Sequence, residues 1–139
     1  MFFKDTHLSE ILALGRSRVN VDIETLMMID SLDMTDKGRA LIVDSCANAK
    51  EDQIIITHGT DTMTQTAMEV GQKKLKKTIV LTGAMIPYKF GTSDGLFNIA
   101  SALAYVQTLS NGVYVAMNGR VFEHNKVKKN RDTGIFEEV

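Results

Sequence analysis

Short apolar runs alternate with stretches of helical spacing along this chain, and this alternation limits the possible folds more than any other feature. The runs that read as buried strands are residues 54–57, 78–82 and 113–117. Between them, apolar residues recur every three or four positions, as on one face of an amphipathic helix. Strands joined by helices of this length pair in parallel through right-handed crossovers. We therefore predict a doubly wound α/β fold, with a mostly parallel sheet and helices on both faces.

Residues that favour helix ends place the helices along the chain. The predicted starts are Thr6, Thr35, the residues just after the strand 54–57, and Ser93 or Asp94. Gly15 is a predicted stop, and the third helix should carry Ala67, Met68 and Leu75. Two other segments are extended: an alternating run from Val19 through Ile23 towards Ile29, and a possible hairpin over 121–127 around His124-Asn125.

Composition restricts the class of protein. A chain of 139 residues with 44% apolar and 24% charged residues reads as one globular domain, residues 1–139. Its formal net charge of −1 gives no general attraction to nucleic acid or to anionic membranes. No signal-peptide core or membrane-spanning apolar run is present. The single cysteine, Cys46, sits among apolar helix positions and reads as buried filler in a reducing compartment. These features predict a cytoplasmic protein.

Polar residues follow the predicted strands at one level of the sheet, which is where open α/β sheets bind ligands. Thr60 and Asp61 follow the strand 54–57, Ser31 and Asp33 follow the extended run, and Gly83-Ala84 follows the strand 78–82. Two hydroxyls and two carboxylates together indicate a small polar ligand that carries its own charges. An equally weighted alternative is that Thr60 or Asp61 only caps the next helix.

Several common types of site find little support. No segment matches the glycine patterns of dinucleotide or phosphate loops. The histidines, His7, His58 and His124, lack the spacing of metal ligands. We therefore predict no metal and no cofactor.

Four ordered motifs make a more specific identification possible. They are Ile-Ile-Thr-His-Gly-Thr-Asp-Thr-Met at 55–63, Asp-Ser-Leu-Asp-Met-Thr at 30–35, Val-Leu-Thr-Gly-Ala-Met-Ile-Pro at 80–87, and Ser-Asp-Gly-Leu-Phe-Asn at 93–98. Together with the segment from Val115 to Asn130, they resemble the bacterial-type L-asparaginase family from about residue 23 to residue 134. Four motifs in the right order are a far stronger signal than any one alone.

The resemblance implies hydrolysis of the side-chain amide of L-asparagine or glutamine by threonine chemistry, without a cofactor. By position, Thr60 and Asp61 match the family's second catalytic threonine and its neighbouring aspartate, and Lys129 matches the lysine that completes this Thr-Asp-Lys group. Ser31 matches the serine that holds the substrate's α-carboxylate, and Asp61 also contacts its α-amino group. Amides of the Gly83-Ala84 turn or of the next helix would stabilise an oxyanion. From the residues alone, Lys129 reads instead as one of a solvated basic cluster with Lys126, Lys128 and Arg131.

The chain also departs from the family pattern. The family opens with an interior strand ending in Thr-Gly-Gly-Thr-Ile, whose threonine is usually taken as the nucleophile, and the chain has no such motif. Backbone groups beside that strand would lose their partners unless a rearrangement, a partner or a longer chain supplied them. A tyrosine from the following loop and the smaller carboxy-terminal domain are absent too, and Leu32 replaces a polar residue.

Three hypotheses follow from the resemblance and its departures. The first is an asparaginase-like amidohydrolase. The second is a non-catalytic module that binds an amino acid, and the third is an ammonia-supplying subunit of an amidotransferase. In each case we expect a small-molecule amino-acid ligand and a homodimer or larger assembly.

Overall fold

The computed structural model describes residues 5–29, 31–86 and 93–139. The helices and strands follow one another in the order helix, helix, strand, helix, strand, helix and four strands, with one 3-10 turn at Ser31–Asp33 before the second helix. The helices are α1 (Asp5–Leu14), α2 (Asp36–Asn48), α3 (Met63–Gln72) and α4 (Gly95–Thr108). The strands are β1 (Gln53–Thr57), β2 (Thr78–Thr82), β3 (Gly112–Met117), β4 (Arg120–Glu123), β5 (Val127–Lys129) and β6 (Phe136–Glu138).

The main sheet has the order β1-β2-β3-β4, and its first three strands are parallel. β4 returns antiparallel beside β3, and β5 and β6 form a separate antiparallel pair. Each parallel crossover contains a helix, α3 between β1 and β2 and α4 between β2 and β3. The prediction of a mostly parallel sheet is confirmed.

Helices cover both faces of the sheet, as predicted. On one face, α2 and α3 pack against alternate residues of the strands, including Ile79 and Leu81 of β2. On the other face, Ala102 and Val106 of α4 pack against Val80. Strands covered on both sides should be apolar at successive positions, which is why β2 reads Thr-Ile-Val-Leu-Thr and is buried throughout.

Cys46 lies in the first of these two cores, as predicted. Its side chain is buried on α2 among apolar neighbours. Burial raises the pKa of the Cys46 thiol, and nearby Lys77 offsets only part of that effect. The protonated thiol behaves as a small apolar side chain here.

β1 is the edge strand of the main sheet within the described residues. It pairs with β2, residue for residue, from Gln53 to Thr57, and no other described strand lies beside it. The alternating run from Val19 to Ile23 was predicted to be extended, but it joins neither sheet, and its apolar side chains are largely exposed. An extended segment forms a strand only when a neighbour completes its hydrogen bonds.

Two of the predicted helix starts can be compared with the observed ends. Thr35 caps α2, because its hydroxyl oxygen accepts a hydrogen bond from Gly38 N at 3.0 Å. α1 already begins at Asp5, so Thr6 lies inside the helix and is not its cap. Leu75 was predicted to lie on the third helix, but α3 ends at Gln72, so Leu75 lies outside it. Helix ends predicted from a pattern commonly err by a few residues.

The predicted hairpin over 121–127 is wrong. β4 pairs with β3, across a turn made by Asn118 and Gly119, and β5 pairs with β6. Asn118 and Gly119 have φ angles of 52° and 87°, which suit the tight turn that Asn-Gly favours between antiparallel strands.

Candidate active site

The loop that follows β1 places Thr60 and Asp61 at the carboxyl end of the sheet. α3 begins at Met63, and its N-cap residue is Thr62, whose side chain makes no capping hydrogen bond. The N-cap position of α3 therefore belongs to Thr62 and to neither Thr60 nor Asp61, which contradicts the capping alternative. Thr60 is buried and Asp61 is partly exposed.

Lys129, at the end of β5, brings its amine to both residues. Its Nζ donates to Thr60 Oγ1 at 2.9 Å and to Asp61 Oδ1 at 2.8 Å. The side chain of Lys129 is only 9% exposed. It is therefore not part of a solvated basic cluster, unlike Lys126, which forms a surface ion pair with Glu123. Lys129 is thus in hydrogen-bond contact with both Thr60 and Asp61, although it lies 69 and 68 positions after them in the sequence.

Arg131 is a further residue of this site, and the sequence reading did not single it out. One guanidinium nitrogen lies 3.4 Å from Asp61 Oδ1, and the other donates to the backbone carbonyl of Asp61 at 2.5 Å. Its side chain is 57% exposed, so the ion pair itself adds little stability. Its effect is to fix the main chain and the carboxylate of Asp61 together. No local pattern indicated this role, because Arg131 lies in the turn that follows β5 and its partner Asp61 is distant in sequence.

His58, also in the loop after β1, is a buried structural residue. Its Nδ1 lies 2.7 Å from the Gly59 carbonyl, and its Nε2 lies 2.9 Å from Thr66 Oγ1. Burial lowers the pKa of His58, and the hydrogen bond with Gly59 opposes that effect. A neutral ring that donates from Nδ1 and accepts at Nε2 satisfies both contacts. His58 thereby ties the site loop to α3.

The loop after β2 approaches the loop after β1 very closely. A Cβ atom on Gly83 would lie 2.2 Å from the carbonyl oxygen of His58, so glycine is required there. Ala84, the predicted substrate contact, is buried beside it. The loops after β1 and β2 are therefore in direct contact at the carboxyl edge of the sheet.

Asp94 fixes the rest of the loop after β2. Its carboxylate accepts hydrogen bonds from Met85 N and Ile86 N, both at 3.1 Å. It also accepts from the side-chain amides of Asn98 at 2.9 Å and Asn118 at 3.1 Å. Burial alone would raise the pKa of Asp94, but the amides of Ile86 and Met85, with Asn118, outweigh it and lower the pKa.

This use of Asp94 differs from the expected capping role. Asp94 occupies the N-cap position of α4 but makes no capping bond, and the hydroxyl of Ser93 accepts from Gly95 N at 2.9 Å instead. Asn98 continues the network, since its amide donates to Gly83 O at 2.8 Å and its oxygen accepts from Asn118 N at 2.9 Å. The loops after β2 and β3 are thus held by one set of polar side chains.

Ser31 opens the 3-10 turn Ser31–Asp33, and its side chain lies outside the described part of the structure, as does Asp30. The neighbouring Leu32 is largely exposed. Among the described residues, no cluster of three or more His, Cys, Asp or Glu side chains could hold a metal ion. The prediction that no metal or cofactor takes part stays a prediction.

The arrangement is suited to proton transfer at a hydroxyl. A buried threonine oxygen lies within hydrogen-bond distance of an amine, a carboxylate holds that amine in place, and a guanidinium contacts the carboxylate. A nucleophile, a base and a group that orients the base are the parts that activated-hydroxyl catalysis requires.

Comparisons with known proteins agree with the motifs in the sequence. L-asparaginase 2 of Escherichia coli K12 is 34% identical over 122 residues, which cover 84% of this chain and 35% of that protein. A probable periplasmic L-asparaginase of Haemophilus influenzae is 35% identical over 124 residues, with the same two shares.

A solved structure is similar over nearly the whole chain. The probable cytoplasmic L-asparaginase of Campylobacter jejuni superposes with a TM-score of 0.86 at 29% identity, covering 98% of this chain and 45% of that one. The chain thus spans about a third of the length of the two curated relatives and less than half of the solved protein. None of the helices in the described ranges combines the length and apolar character needed to cross a membrane. A family model described as the N-terminal part of asparaginase matches residues 3–136, and the chain therefore belongs to the asparaginase family.

Proposed function

We propose that this protein hydrolyses the side-chain amide of L-asparagine, or of glutamine, to the acid and ammonia, with Thr60 as the nucleophile. The observation that carries the proposal is the pair of contacts made by Lys129, at 2.9 Å to Thr60 Oγ1 and 2.8 Å to Asp61 Oδ1. A threonine hydroxyl is a weak nucleophile until a nearby base removes its proton.

The reaction proceeds in two halves. Lys129 takes the proton of the Thr60 hydroxyl, and Oγ1 forms a bond to the amide carbon. The carbon–nitrogen bond then breaks, and ammonia leaves with the proton that Lys129 returns. In the second half, water attacks the resulting ester, releases the acid and restores the Thr60 hydroxyl.

The remaining residues bind the substrate and stabilise charge. Asp61 contacts the substrate's α-amino group, Ser31 holds its α-carboxylate, and Ala84 contacts it from the loop after β2. The amides of Met85 and Ile86 already donate hydrogen bonds to Asp94. The oxyanion is therefore stabilised by amides of the Gly83-Ala84 turn or of the start of α3.

The proposal extends to the form in which the protein works. Residues 1–139 act as one domain, assemble as a homodimer or larger oligomer, and work in the cytoplasm. A solved relative described as cytoplasmic supports this location, whereas one of the similar sequences is described as periplasmic.

The test is ammonia release from asparagine and from glutamine by the purified protein and three variants. Thr60→Val keeps the shape of the side chain but removes the hydroxyl, and we expect it to abolish release. Thr60→Ser, which keeps a hydroxyl, should retain measurable turnover. Thr108→Val is the control, because Thr108 lies at the far end of α4 and bonds only to its own helix.

The outcomes separate the three hypotheses. Unchanged ammonia release by Thr60→Val would overturn the assigned role. Calorimetric binding of asparagine without release in the wild-type protein would favour the binding module. Release that appears only when a second protein is added would favour the amidotransferase subunit.

A further inference from the structure

A tight turn, residues 130–134, follows β5 and carries Arg131. The side-chain oxygen of Asn130 accepts a hydrogen bond from Thr133 N at 3.2 Å. Gly134 N donates to Asn130 O at 2.7 Å, and the φ of Gly134 is 77°, which glycine adopts without strain. None of these hydrogen bonds involves the side chain of Arg131. The turn therefore fixes the backbone of Arg131 independently of what its side chain contacts.

The turn lies against both loops of the site. A Cβ atom on Gly134 would lie 3.1 Å from Cε of Met85, which belongs to the loop after β2. In the same turn, Arg131 contacts the carboxylate and the backbone carbonyl of Asp61, in the loop after β1. The guanidinium therefore lies at the site itself, next to the residue that follows Thr60.

Two basic side chains share one oxygen of the Asp61 carboxylate. Lys129 Nζ lies 2.8 Å from Oδ1, and a guanidinium nitrogen of Arg131 lies 3.4 Å from the same atom. A carboxylate in this position has less attraction left for a further cation, and the guanidinium repels that cation. The α-ammonium of a substrate, which the proposed function assigns to Asp61, would be such a cation.

The same guanidinium attracts negative charge. Arginine has five N–H donors in a rigid fork that matches a carboxylate, and the contacts with Asp61 occupy two of them. The side chain of Arg131 is 57% exposed, so a ligand can reach it. A substrate carboxylate close to Asp61 therefore gains from Arg131, whereas a substrate ammonium at the same place loses.

We propose that Arg131 is a specificity-determining residue, which occupies the place of the substrate's α-ammonium at Asp61. The site then favours monoamides of dicarboxylic acids, which carry a carboxylate but no amino group. Succinamate, which is asparagine without its amino group, is the member of this class that matches asparagine in length. Thr60 and water would cleave its amide bond to succinate and ammonia. Because Asp61 and Thr60 have these roles under the proposed function, the role of Arg131 rests on it.

Binding of the product acids tests this role without requiring turnover. L-Aspartate and succinate differ only in the α-ammonium, and calorimetry gives the dissociation constant of each for the purified protein at neutral pH. We expect the wild-type protein to bind succinate at least as tightly as L-aspartate. Arg131→Gln should shift the ratio of the two dissociation constants towards L-aspartate by about threefold to fivefold, the size expected for a partly exposed charge.

Two further variants separate charge from structure. Arg131→Lys keeps the positive charge and should keep most of the wild-type ratio. Lys126→Gln removes an equally exposed charge from a surface ion pair with Glu123 and should leave the ratio unchanged. About 1 M salt, which screens charges beyond about 3 Å, should reduce the effect of Arg131→Gln. A purely structural role of Arg131 would weaken the binding of both acids equally, at low and at high salt.

Ammonia release from L-asparagine and from succinamate then separates this role from the proposed function. The ratio of kcat/KM for the two amides should shift in Arg131→Gln as the binding ratio does, and through KM. A shift in binding without ammonia release from either amide would contradict the amidase and leave the role of Arg131 in place.

Other outcomes would overturn the role of Arg131. One is an unchanged binding ratio in Arg131→Gln, and another is an equal shift in Lys126→Gln. A wild-type protein that binds L-aspartate but not succinate would also contradict it. If neither acid binds at millimolar concentration, both the role of Arg131 and the assigned substrate site are wrong.

Discussion

β1 and β2 are neighbouring strands of equal length, and they differ in environment much more than in sequence. Both have five residues with three branched apolar side chains in the middle, and they pair in register from Gln53 and Thr78 onwards. Every residue of β2 is buried, whereas none of β1 is. Among the residues that the structure describes, β2 has a strand on each side, and β1 has one on a single side.

The comparison shows that the number of neighbours, and not the strand's own residues, decides burial. The isoleucines of β1 are the residues expected of a strand covered on all sides. In the described structure they meet helices above and below and a cavity at the free edge. The sequence of β1 thus indicates an environment that its own sheet provides only in part.

The sharpest test of this difference uses one substitution at two paired positions. Ile79 and Ile54 are partners across the two strands and pack on the same face, but only Ile79 is fully buried. Ile79→Ala should reduce the free energy of unfolding by about 3–5 kcal/mol, and Ile54→Ala by about 1–2 kcal/mol, because a half-buried site leaves less of a cavity. Urea unfolding of both variants measures this. Equal losses would mean that β1 is covered in solution.

The second test concerns the point at which the two strands end. Gly83→Ala would place a Cβ atom 2.2 Å from the His58 carbonyl, so the loops after β1 and β2 must separate. We expect a loss of about 1–3 kcal/mol in the free energy of unfolding, with lower ammonia release. Gly15→Ala is the control, since its nearest new contact is 3.4 Å. Wild-type stability in the Gly83 variant would show that the two loops are not held together.

The smallest expected effect is a dependence on pH at the same two loops. The pKa of His58 is lowered by burial in the folded protein, so below about pH 6.5 the unfolded chain binds a proton that the folded chain does not. The free energy of unfolding should therefore fall as pH drops from 6.5 to 5.5, by at most about 1.4 kcal/mol per pH unit.

The loop after β2 responds in a lower range. Because the pKa of Asp94 is lowered in the folded protein, its carboxylate stabilises the fold at pH values above its ordinary pKa of about 3.8. This stabilisation is lost as the pH falls below that value.

Urea unfolding between pH 7 and 5.5 isolates the effect of His58, and His58→Gln should remove the slope of stability against pH there. A slope that persists in this variant would assign it to other groups.

The site could be read from the sequence only in part. The motif indicated Thr60, Asp61 and Lys129, although local composition favoured a solvated Lys129. The structure decides between these readings, because β5 pairs with β6 and carries the lysine back to the loop after β1. Arg131 and the Asp94 network were missed, since their partners lie in other loops and local patterns report only nearby residues.

The hairpin is the clearest error in the fold. Asn118-Gly119 between two apolar runs is a strong local signal for a hairpin, and in the structure it joins β3 to β4. Residues 121–127 were then paired with each other. The local turn chemistry was the better guide.

The sequence by itself determined the helices, the core strands, the burial of Cys46 and the family, because hydrophobic periodicity and ordered motifs are properties of neighbouring residues. Tertiary structure alone decided that the N-cap position of α3 is Thr62, that Lys129 meets Thr60 and Asp61, and that the outer edge of β1 faces a cavity. These features depend on which distant segments lie side by side. Spacing along the chain does not fix that, because packing and hydrogen bonding between distant segments set it.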